Sequence, residues 1–268
     1  MILAVTLSVS ASAKLIRVLA IGNSFSEDAV EQYLFELARA QGDSLIIGNA
    51  YIPGCSIDRH YANLLGDSAL YEYRKVVGNI KYERKRRTLK NIICDEQWDI
   101  ISLQQASRLS GIPTSYGNLG RLKRMVANYA TNLHVQFVWH MTWAYAKTFE
   151  SANFKAYGYN QHTMYSSIVS AMLNVLPDVD IHRIIPSGIA IQLMRYQMGD
   201  ILNRDGFHLS LTIGRYTAAC TWCEFLTGKS VEGNKYRPGP LTEEEAKTCQ
   251  HSAHEAVYMQ QHGRYFII

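Results

Sequence analysis

Five short apolar runs divide this chain, and each is followed by sequence with helical character. The runs are LIRVLAI (15–21), SLIIGNA (44–50), DIISLQ (99–104), VQFVWH (135–140) and DIHRII (180–185). Runs of this length and composition are typical of strands that are buried on both faces of a parallel sheet. Strands that alternate with helices need right-handed crossovers, which place helices on both faces of the sheet. The pattern therefore predicts an α/β fold, a three-layer α/β/α sandwich with a central parallel five-stranded sheet.

Helical periodicity is clearest in seven stretches, which are 28–41, 85–96, 116–131, 159–176, 187–198, 212–227 and 241–261. The last of them opens on Thr242, with Glu245 three residues later, which is the spacing of a capping box. The basic stretch KYERKRRTLK (81–90) is predicted to be a solvated helix face, with a patch for an anionic ligand as the alternative. The sequence around 50–80 and 105–118 is predicted to form long loops, which often build a substrate wall in this architecture.

The first thirteen residues, MILAVTLSVSASA, form an apolar run that ends in Ala-Ser-Ala before Lys14. The run resembles the apolar region and cleavage site of a secretory signal, although basic residues do not precede it, and an ordinary first strand is the alternative. We expect a signal-peptide remnant at 1–13, a single domain at 14–268, and a secreted or periplasmic bacterial protein. No other stretch approaches 18 uninterrupted apolar residues, so stable membrane insertion is not expected.

The composition narrows the classes of partner and cofactor. The chain has 27 basic and 23 acidic residues, a balance too even to favour nucleic-acid binding. Cys220 and Cys223 form a C-x-x-C, but they lie in helical sequence without a second ligand pair, which favours core packing over a metal or redox role. The histidines show no metal-ligand spacing apart from the pair His251 and His254, which lacks further ligands, and a glycine-rich phosphate loop is missing. We therefore expect neither a metal nor an organic cofactor.

The segment GNSFS follows the first predicted strand and precedes a helix, which puts Ser24 at the carboxyl end of that strand. Ligands of parallel α/β sheets bind at this edge. A serine hydroxyl acts as a nucleophile when a base takes its proton and N–H donors stabilise the oxyanion that forms. The alternative is that Asn23 and Ser24 only cap the helix. A nucleophilic role therefore requires a base and an orienting acid elsewhere in the chain.

The segment LNRDGFHLS (202–210) offers both, because Asp205 and His208 are three residues apart with Gly206 between them. In a turn, this spacing lets the carboxylate accept from one imidazole nitrogen while the other faces outward. Together with Ser24, the pair predicts a catalytic triad. The nucleophile does not lie in the G-x-S-x-G of the α/β-hydrolases, whose Asp and His lie on separate loops.

These motifs resemble the SGNH (GDSL-type) hydrolases, and within them the DUF4886-like branch of secreted bacterial proteins that carries IGNSFS in place of GDS. The resemblance spans nearly the whole chain after residue 13 and implies a flavodoxin-like fold. It matches Ser24 to the family's nucleophile, and Asp205 and His208 to its Asp-x-x-His. It also implies that the backbone N–H groups of Ser24 and Gly54 stabilise the oxyanion, Gly54 being the glycine of IPGCSIDRH (52–60).

The third block of the family is different here, because DIISLQQASR (99–108) has no asparagine where the wider family has Gly-x-Asn-Asp. It resembles the Gln-containing block of carbohydrate acetylesterases in the same superfamily. The resemblance assigns the remaining oxyanion donor to Gln104, with Gln105 as the second choice, since a primary amide donates the same N–H from a longer arm. His140 and Trp143, at the end of the fourth predicted strand, are candidates for the substrate wall, with core packing as the alternative.

The resemblance implies a serine esterase that hydrolyses carboxylic esters through an acyl-serine intermediate, with O-acetyl groups on carbohydrates as the expected substrate. The enzymatic alternative is a lipid or thioester hydrolase of the same fold. The alternative from another class is a catalytically silent glycan-binding protein, which the missing asparagine favours. For an esterase, the expected partner is a small-molecule or glycan ester.

Overall fold

The structure is a computed structural model that describes residues 13–266, so the predicted signal segment lies outside the described residues except for its last residue. Its sheet has seven strands, which are β1 Leu15–Gly22, β2 Ser44–Tyr51, β3 Tyr71–Val77, β4 Ile80–Arg87, β5 Ile100–Leu103, β6 Gln136–His140 and β7 Arg183–Ile185. The order across the sheet is β4-β3-β2-β1-β5-β6-β7. The predicted α/β class and the parallel core of the sheet are confirmed.

The five predicted strands are all present, and they run parallel in the order β2-β1-β5-β6-β7. This is the flavodoxin-like order, in which the chain starts at an inner strand, adds one neighbour and then continues on the other side. The direction of winding reverses between β1 and β5, and the crevice outside the carboxyl ends of these strands is where such folds bind ligands. The topology therefore puts the residues after β1 and β5 at the binding edge.

The prediction of five strands was wrong in number, because a hairpin of β3 and β4 extends the sheet beyond β2. Both strands pair antiparallel. The hairpin also corrects the prediction of a helix face for the basic stretch 81–90. Residues 81–87 lie in the edge strand β4, and most of their side chains are exposed on both sides of the sheet. Charged side chains on an edge strand hinder pairing with another chain. A strand without a buried face has no apolar alternation, so the sequence pattern could not reveal it.

The helices among the described residues are α1 Ser24–Val30, α2 Leu34–Ala40, α3 Ile57–Leu65, α4 Leu89–Ile93, α5 Leu119–Tyr129, α6 Gln161–Val175, α7 Ser187–Met198, α8 Ile213–Thr227 and α9 Glu243–Gln261. Two predicted helices were wrong in extent. The stretch 28–41 breaks at Tyr33, whose φ of 69° is left-handed, and only five residues of 85–96 are helical. Helices α1, α2, α7, α8 and α9 pack together, as do α3, α4 and α5.

Two features noted in the sequence lie in helices α8 and α9. The predicted capping box begins α9: Thr242 Oγ1 accepts the Glu245 N–H at 3.2 Å, and Glu245 Oε2 accepts the Thr242 N–H at 2.8 Å. Cys220 and Cys223 are unpaired and buried in α8, within the hydrophobic core. Within residues 13–266, no helix is both long enough and apolar enough to cross a bilayer.

Candidate active site

A cleft of about 390 Å³ opens at the carboxyl edge of the parallel strands. The predicted nucleophile Ser24, the predicted oxyanion glycine Gly54 and the predicted base His208 all line it. They come from three distant parts of the chain, after β1, after β2 and from the loop between α7 and α8. The fold therefore brings into one cleft three of the residues that the motifs indicated.

His208 is held by Asp205 in the geometry that its spacing predicted. His208 Nδ1 lies 2.6 Å from Asp205 Oδ2, and Asp205 Oδ1 accepts the backbone N–H groups of His208 at 2.8 Å and Phe207 at 3.2 Å. Partial burial raises the pKa of Asp205, but these hydrogen bonds outweigh it and hold the pKa below its ordinary value. An ionised Asp205 keeps the proton of His208 on Nδ1, which leaves Nε2 as the acceptor.

Ser24 and His208 lie in the same cleft, but among the described residues no hydrogen bond joins the Ser24 hydroxyl to the imidazole ring. The ring of Phe25, the residue after Ser24, has its centroid 6.2 Å from that of His208. Catalytic hydrogen bonds are often long in free enzymes and tighten when substrate binds. Ser24 and His208 therefore share a cleft without a direct hydrogen bond between their side chains.

The cap of α1 is Asn23, which leaves Ser24 free of a capping role. Asn23 Oδ1 accepts the Phe25 N–H at 3.0 Å, and Asn23 Nδ2 donates to the carbonyl oxygen of Cys55 at 3.0 Å. The second bond joins the turn after β1 to the loop that carries Gly54. Asn23 also lines the cleft, so it belongs to the site, although the sequence analysis considered it only as a helix cap.

Two glycines shape the loops of the cleft. Gly54 has φ +59° and Gly206 has φ +91°, a backbone region that glycine adopts without strain. A Cβ on Gly206 would also lie 2.3 Å from Cδ2 of Phe149. The turn between Asp205 and His208 is therefore closed to larger side chains by both backbone angle and packing.

Gln104 does not line the cleft, and this corrects its predicted role as an oxyanion donor. It is 2% exposed, its Nε2 donates to Asn23 Oδ1 at 2.9 Å, and its Oε1 accepts from His140 Nδ1 at 2.8 Å. A Cβ on Gly22 would lie 2.9 Å from Cδ of Gln104, so the missing side chain of Gly22 makes room for this amide beneath the turn. Gln104 therefore orients Asn23 from below instead of facing a substrate.

Gln105, the second choice, is also fully engaged away from the cleft. Its Oε1 accepts the N–H groups of Ile57 at 3.0 Å and Ala106 at 2.8 Å, and its Nε2 donates to the carbonyl oxygen of Ser115 at 2.8 Å. These bonds join the segment after β5 to the start of α3. The predicted role of Gln105 as a donor to substrate is corrected in the same way as that of Gln104.

The predicted substrate wall of His140 and Trp143 was wrong, because both side chains are fully buried and neither lines the cleft. Trp143 stacks on Phe25 with ring centroids 4.3 Å apart, and its Nε1 donates to the carbonyl oxygen of Phe207 at 2.8 Å. Phe25 follows Ser24 and Phe207 precedes His208. Trp143 therefore packs against both the start of α1, next to Ser24, and the loop that carries His208.

His140 and His60 make the stability of the fold sensitive to acid. Burial lowers the pKa of His140 to about 3; burial, with a smaller contribution from the charge of Arg59, also lowers the pKa of His60 to about 3. Both are neutral in the folded protein but gain a proton near pH 6.5 when unfolded. Their contribution to the free energy of unfolding is therefore complete above pH 6.5. As the pH falls from 6.5 toward 3, each histidine lowers the free energy of unfolding by about 1.4 kcal/mol per pH unit.

We expect His140→Gln to flatten the fall in the free energy of unfolding between pH 7 and pH 5, by about 1 kcal/mol per pH unit. Urea unfolding at several pH values measures this slope, and the comparison is insensitive to a constant loss of stability in the variant. A slope equal to that of the wild type would show that His140 is not held neutral by the fold.

The carboxylate of Asp28, which is fully buried, joins α1 to the loop that carries His208. Asp28 Oδ2 accepts the N–H of Leu209, the residue after His208, at 2.7 Å. Asp28 Oδ1 accepts from Arg204 Nη1 at 2.9 Å and from Arg215 Nε at 2.8 Å. The sequence analysis missed this residue, since a single acidic residue in a helix carries no signal of its burial.

Within residues 13–266, no group of three or more His, Cys, Asp or Glu side chains is placed to hold a metal ion. The Ser24 hydroxyl and the His208 imidazole line the cleft, and the Asp205 carboxylate contacts His208. These are the types of group that acyl transfer by a serine requires.

Comparison with known proteins identifies the family to which this chain is similar. The family DUF4886, described as a domain of unknown function, matches residues 17–256. The crystal structure of a DUF4886 family protein from Bacteroides uniformis is 48% identical, has a TM-score of 0.89, and the match covers 91% of this chain and 95% of that one. No curated protein matches.

Two more distant structures share the fold. A candidate SGNH hydrolase from Slackia heliotrinireducens is 17% identical with a TM-score of 0.50, covering 79% of this chain and 98% of that one. A candidate GDSL-like lipase from Parabacteroides merdae is 13% identical with a TM-score of 0.51, covering 81% and 98%. At these identities the likeness extends to the fold alone. The chain belongs to the DUF4886 family, and its fold is that of the SGNH hydrolases.

Proposed function

We propose that this protein is a serine esterase that hydrolyses O-acetyl groups on carbohydrates through an acyl-serine intermediate. The observation that carries the proposal is the meeting of Ser24 with the Asp205-paired His208 in one cleft at the carboxyl edge of the sheet. A nucleophile, a base and an orienting carboxylate in this relation are the groups of acyl transfer by a serine.

The reaction follows from the roles of these groups. His208 Nε2 takes the proton of the Ser24 hydroxyl as Oγ attacks the ester carbon, and the backbone N–H groups of Ser24 and Gly54 stabilise the oxyanion, each by about 3 kcal/mol. His208 then gives the proton to the departing alcohol. Water attacks the acyl-serine with His208 again as base, and the acid leaves. Asp205 stabilises the imidazolium in both steps.

The composition of the cleft supports a carbohydrate ester over a lipid. Its wall includes Tyr51 and Phe207, whose rings can contact the apolar face of a sugar, and Ser107 and Asn153, whose side chains can bond to hydroxyl groups. Among the described residues, no Leu, Ile, Val or Met side chain lines the cleft. A channel for a long acyl chain would need such side chains, so a lipid or thioester hydrolase is the weaker alternative.

The competing proposal from another class is a glycan-binding protein without catalysis. It is favoured by the engagement of Gln104 with Asn23 and His140, which removes the predicted third oxyanion donor. It is also favoured by the missing hydrogen bond between Ser24 and His208 within the described residues. The two proposals differ in whether Ser24 reacts.

We expect a fluorophosphonate probe to label the wild-type protein and not Ser24→Ala, because the probe phosphonylates a serine that a neighbouring base activates. Intact-protein mass spectrometry measures the labelling. The matched control is Ser230→Ala, which removes another hydroxyl near a histidine, 3.3 Å from Nδ1 of His254, and which should be labelled like the wild type. An unlabelled but folded wild type would overturn the esterase and support the glycan-binding protein.

Turnover of 4-nitrophenyl acetate above 4-nitrophenyl octanoate would distinguish an acetylesterase from a lipid hydrolase.

A further inference from the structure

Arg108 is a cation in the wall of the cleft and has no carboxylate partner within residues 13–266. It lies in a single turn of 3₁₀ helix, Ser107–Leu109, shortly after β5. Its guanidinium makes one hydrogen bond among the described residues, from Nη1 to the carbonyl oxygen of Gly54 at 3.4 Å. This bond leaves most of its five N–H donors without a protein acceptor.

Two other arginines close to the cleft are each paired with a carboxylate, whereas Arg108 is not. Arg74 pairs with Glu31 at 3.2 Å, and Arg215 pairs with Asp28 at 2.7 Å. The lining of the cleft, as far as the described residues form it, contains neither Asp nor Glu. The charge of Arg108 is therefore not balanced by any group that faces the same space.

The backbone around Arg108 is fixed, so its side chain starts from a defined position. The hydroxyl of Tyr157 donates to the carbonyl oxygen of Arg108 at 3.0 Å and accepts the N–H of Gly111 at 3.0 Å. The guanidinium reaches from there to Gly54, the glycine whose N–H is proposed to stabilise the oxyanion. A substrate whose ester carbonyl lies at Ser24 would thus have another of its groups beside Arg108.

We propose that Arg108 selects ester substrates that carry a carboxylate. The inference rests on the proposed esterase chemistry, not on the preference for acetyl groups, and names the substrate class of the same cleft. A guanidinium binds a carboxylate through two parallel N–H bonds, and such charged bonds are stronger than neutral ones. The guanidinium can bind a carboxylate on either part of the ester. The carboxylate lies on the alcohol part in an O-acetylated uronic acid and on the acyl part in a dicarboxylic half-ester.

Two substrate pairs, each matched by replacing carboxylate with carboxamide, test the proposal and separate these sources. The first pair is a mono-O-acetylated methyl glucuronoside and its uronamide, and the second is monoethyl adipate and ethyl adipamate. We expect the wild type to favour the carboxylate member of one pair by about 10- to 100-fold in kcat/KM, the factor that charged hydrogen bonds supply. The pair that shows the preference identifies the part of the substrate that Arg108 binds.

Arg108→Gln is expected to equalise kcat/KM within that pair by raising KM for the carboxylate member. Arg108→Lys should keep part of the preference, because an ammonium retains the charge but not the two-bond fit. The matched control is Arg59→Gln, which removes an exposed arginine that does not line the cleft and should keep the wild-type ratio.

The outcomes separate this proposal from the esterase function itself. Equal rates for both members of both pairs, in a wild type that the fluorophosphonate labels, would overturn the role of Arg108 and leave the esterase standing. A fall in kcat for carboxylate and carboxamide members alike in Arg108→Gln would also overturn it, since that result places the guanidinium at the oxyanion. A folded wild type that is not labelled would overturn both.

Discussion

Asp205→Asn is expected to lower kcat for ester hydrolysis by about 10⁴-fold while the protein stays folded. An asparagine can keep its carbonyl oxygen on the backbone N–H groups of His208 and Phe207, which Asp205 Oδ1 now accepts at 2.8 and 3.2 Å. Its amide N–H₂ would then face His208 Nδ1 and favour the tautomer whose proton is on Nε2. That tautomer cannot take the proton of Ser24.

The measurement is kcat for 4-nitrophenyl acetate, together with circular dichroism and the urea midpoint to show that the fold is retained. Asp180→Asn is the matched control, because Asp180 also contacts a nearby histidine, with Oδ1 at 3.0 Å from His182 Nε2, but lies on the exposed surface outside the cleft. Its kcat should equal that of the wild type. A kcat of Asp205→Asn within tenfold of the wild type would mean that another group orients His208.

The parallel core could be predicted from the sequence because burial on both faces requires uninterrupted apolar runs, and such runs are visible without knowledge of the fold. The β3–β4 hairpin could not be predicted in this way. The side chains of β4 are exposed along most of its length. Its pairing with β3 is made by backbone hydrogen bonds, which leave no pattern in the amino-acid sequence. The extra pair changes the edge of the sheet and leaves the cleft where the five parallel strands put it.

The local motifs led to Ser24 and His208, which line the cleft, and to Asp205, which contacts His208. The predictions for two other residues were wrong. Ser24, Asp205 and His208 are recognisable because the residue types required for catalysis stand at fixed short spacings, and their catalytic roles stay predictions. Gln104 and His140 also follow or end a strand, yet they are buried and bond to each other. A strand-end position gives the edge of the sheet but not the direction of the side chain.

The residues that the sequence analysis missed act through contacts between distant segments. Arg108 lines the cleft because the turn after β5 folds back over Gly54. Asp28 is a buried hydrogen-bond acceptor because α8 and the loop that carries His208 pack against α1. Neither relation leaves a local pattern. Such residues can be found only when the fold has brought the segments together.

Asp28→Asn is expected to lower the free energy of unfolding by about 3–5 kcal/mol, the cost of removing one partner of a buried ion pair. The Asp28 carboxylate is fully buried, and Arg215, with 8% of its side chain exposed, would keep its charge and lose its closest partner, at 2.7 Å. Glu27 lies 3.4 Å from the same guanidinium and offsets part of the loss, which favours the lower end of this range.

Urea unfolding measures this loss, and Glu243→Gln is the control, because its ion pair with Lys247 at 2.6 Å is exposed and should be removable without a measurable change. Equal stability of Asp28→Asn and the wild type would show that the buried charge cluster is not required.

The same variant tests whether Asp28 also positions His208. Its carboxylate accepts the N–H of Leu209, so the Asp205–His208 turn should shift relative to Ser24 when that acceptor weakens. The variant should then have a lower kcat under conditions where it is fully folded, whereas a normal kcat would limit Asp28 to stability.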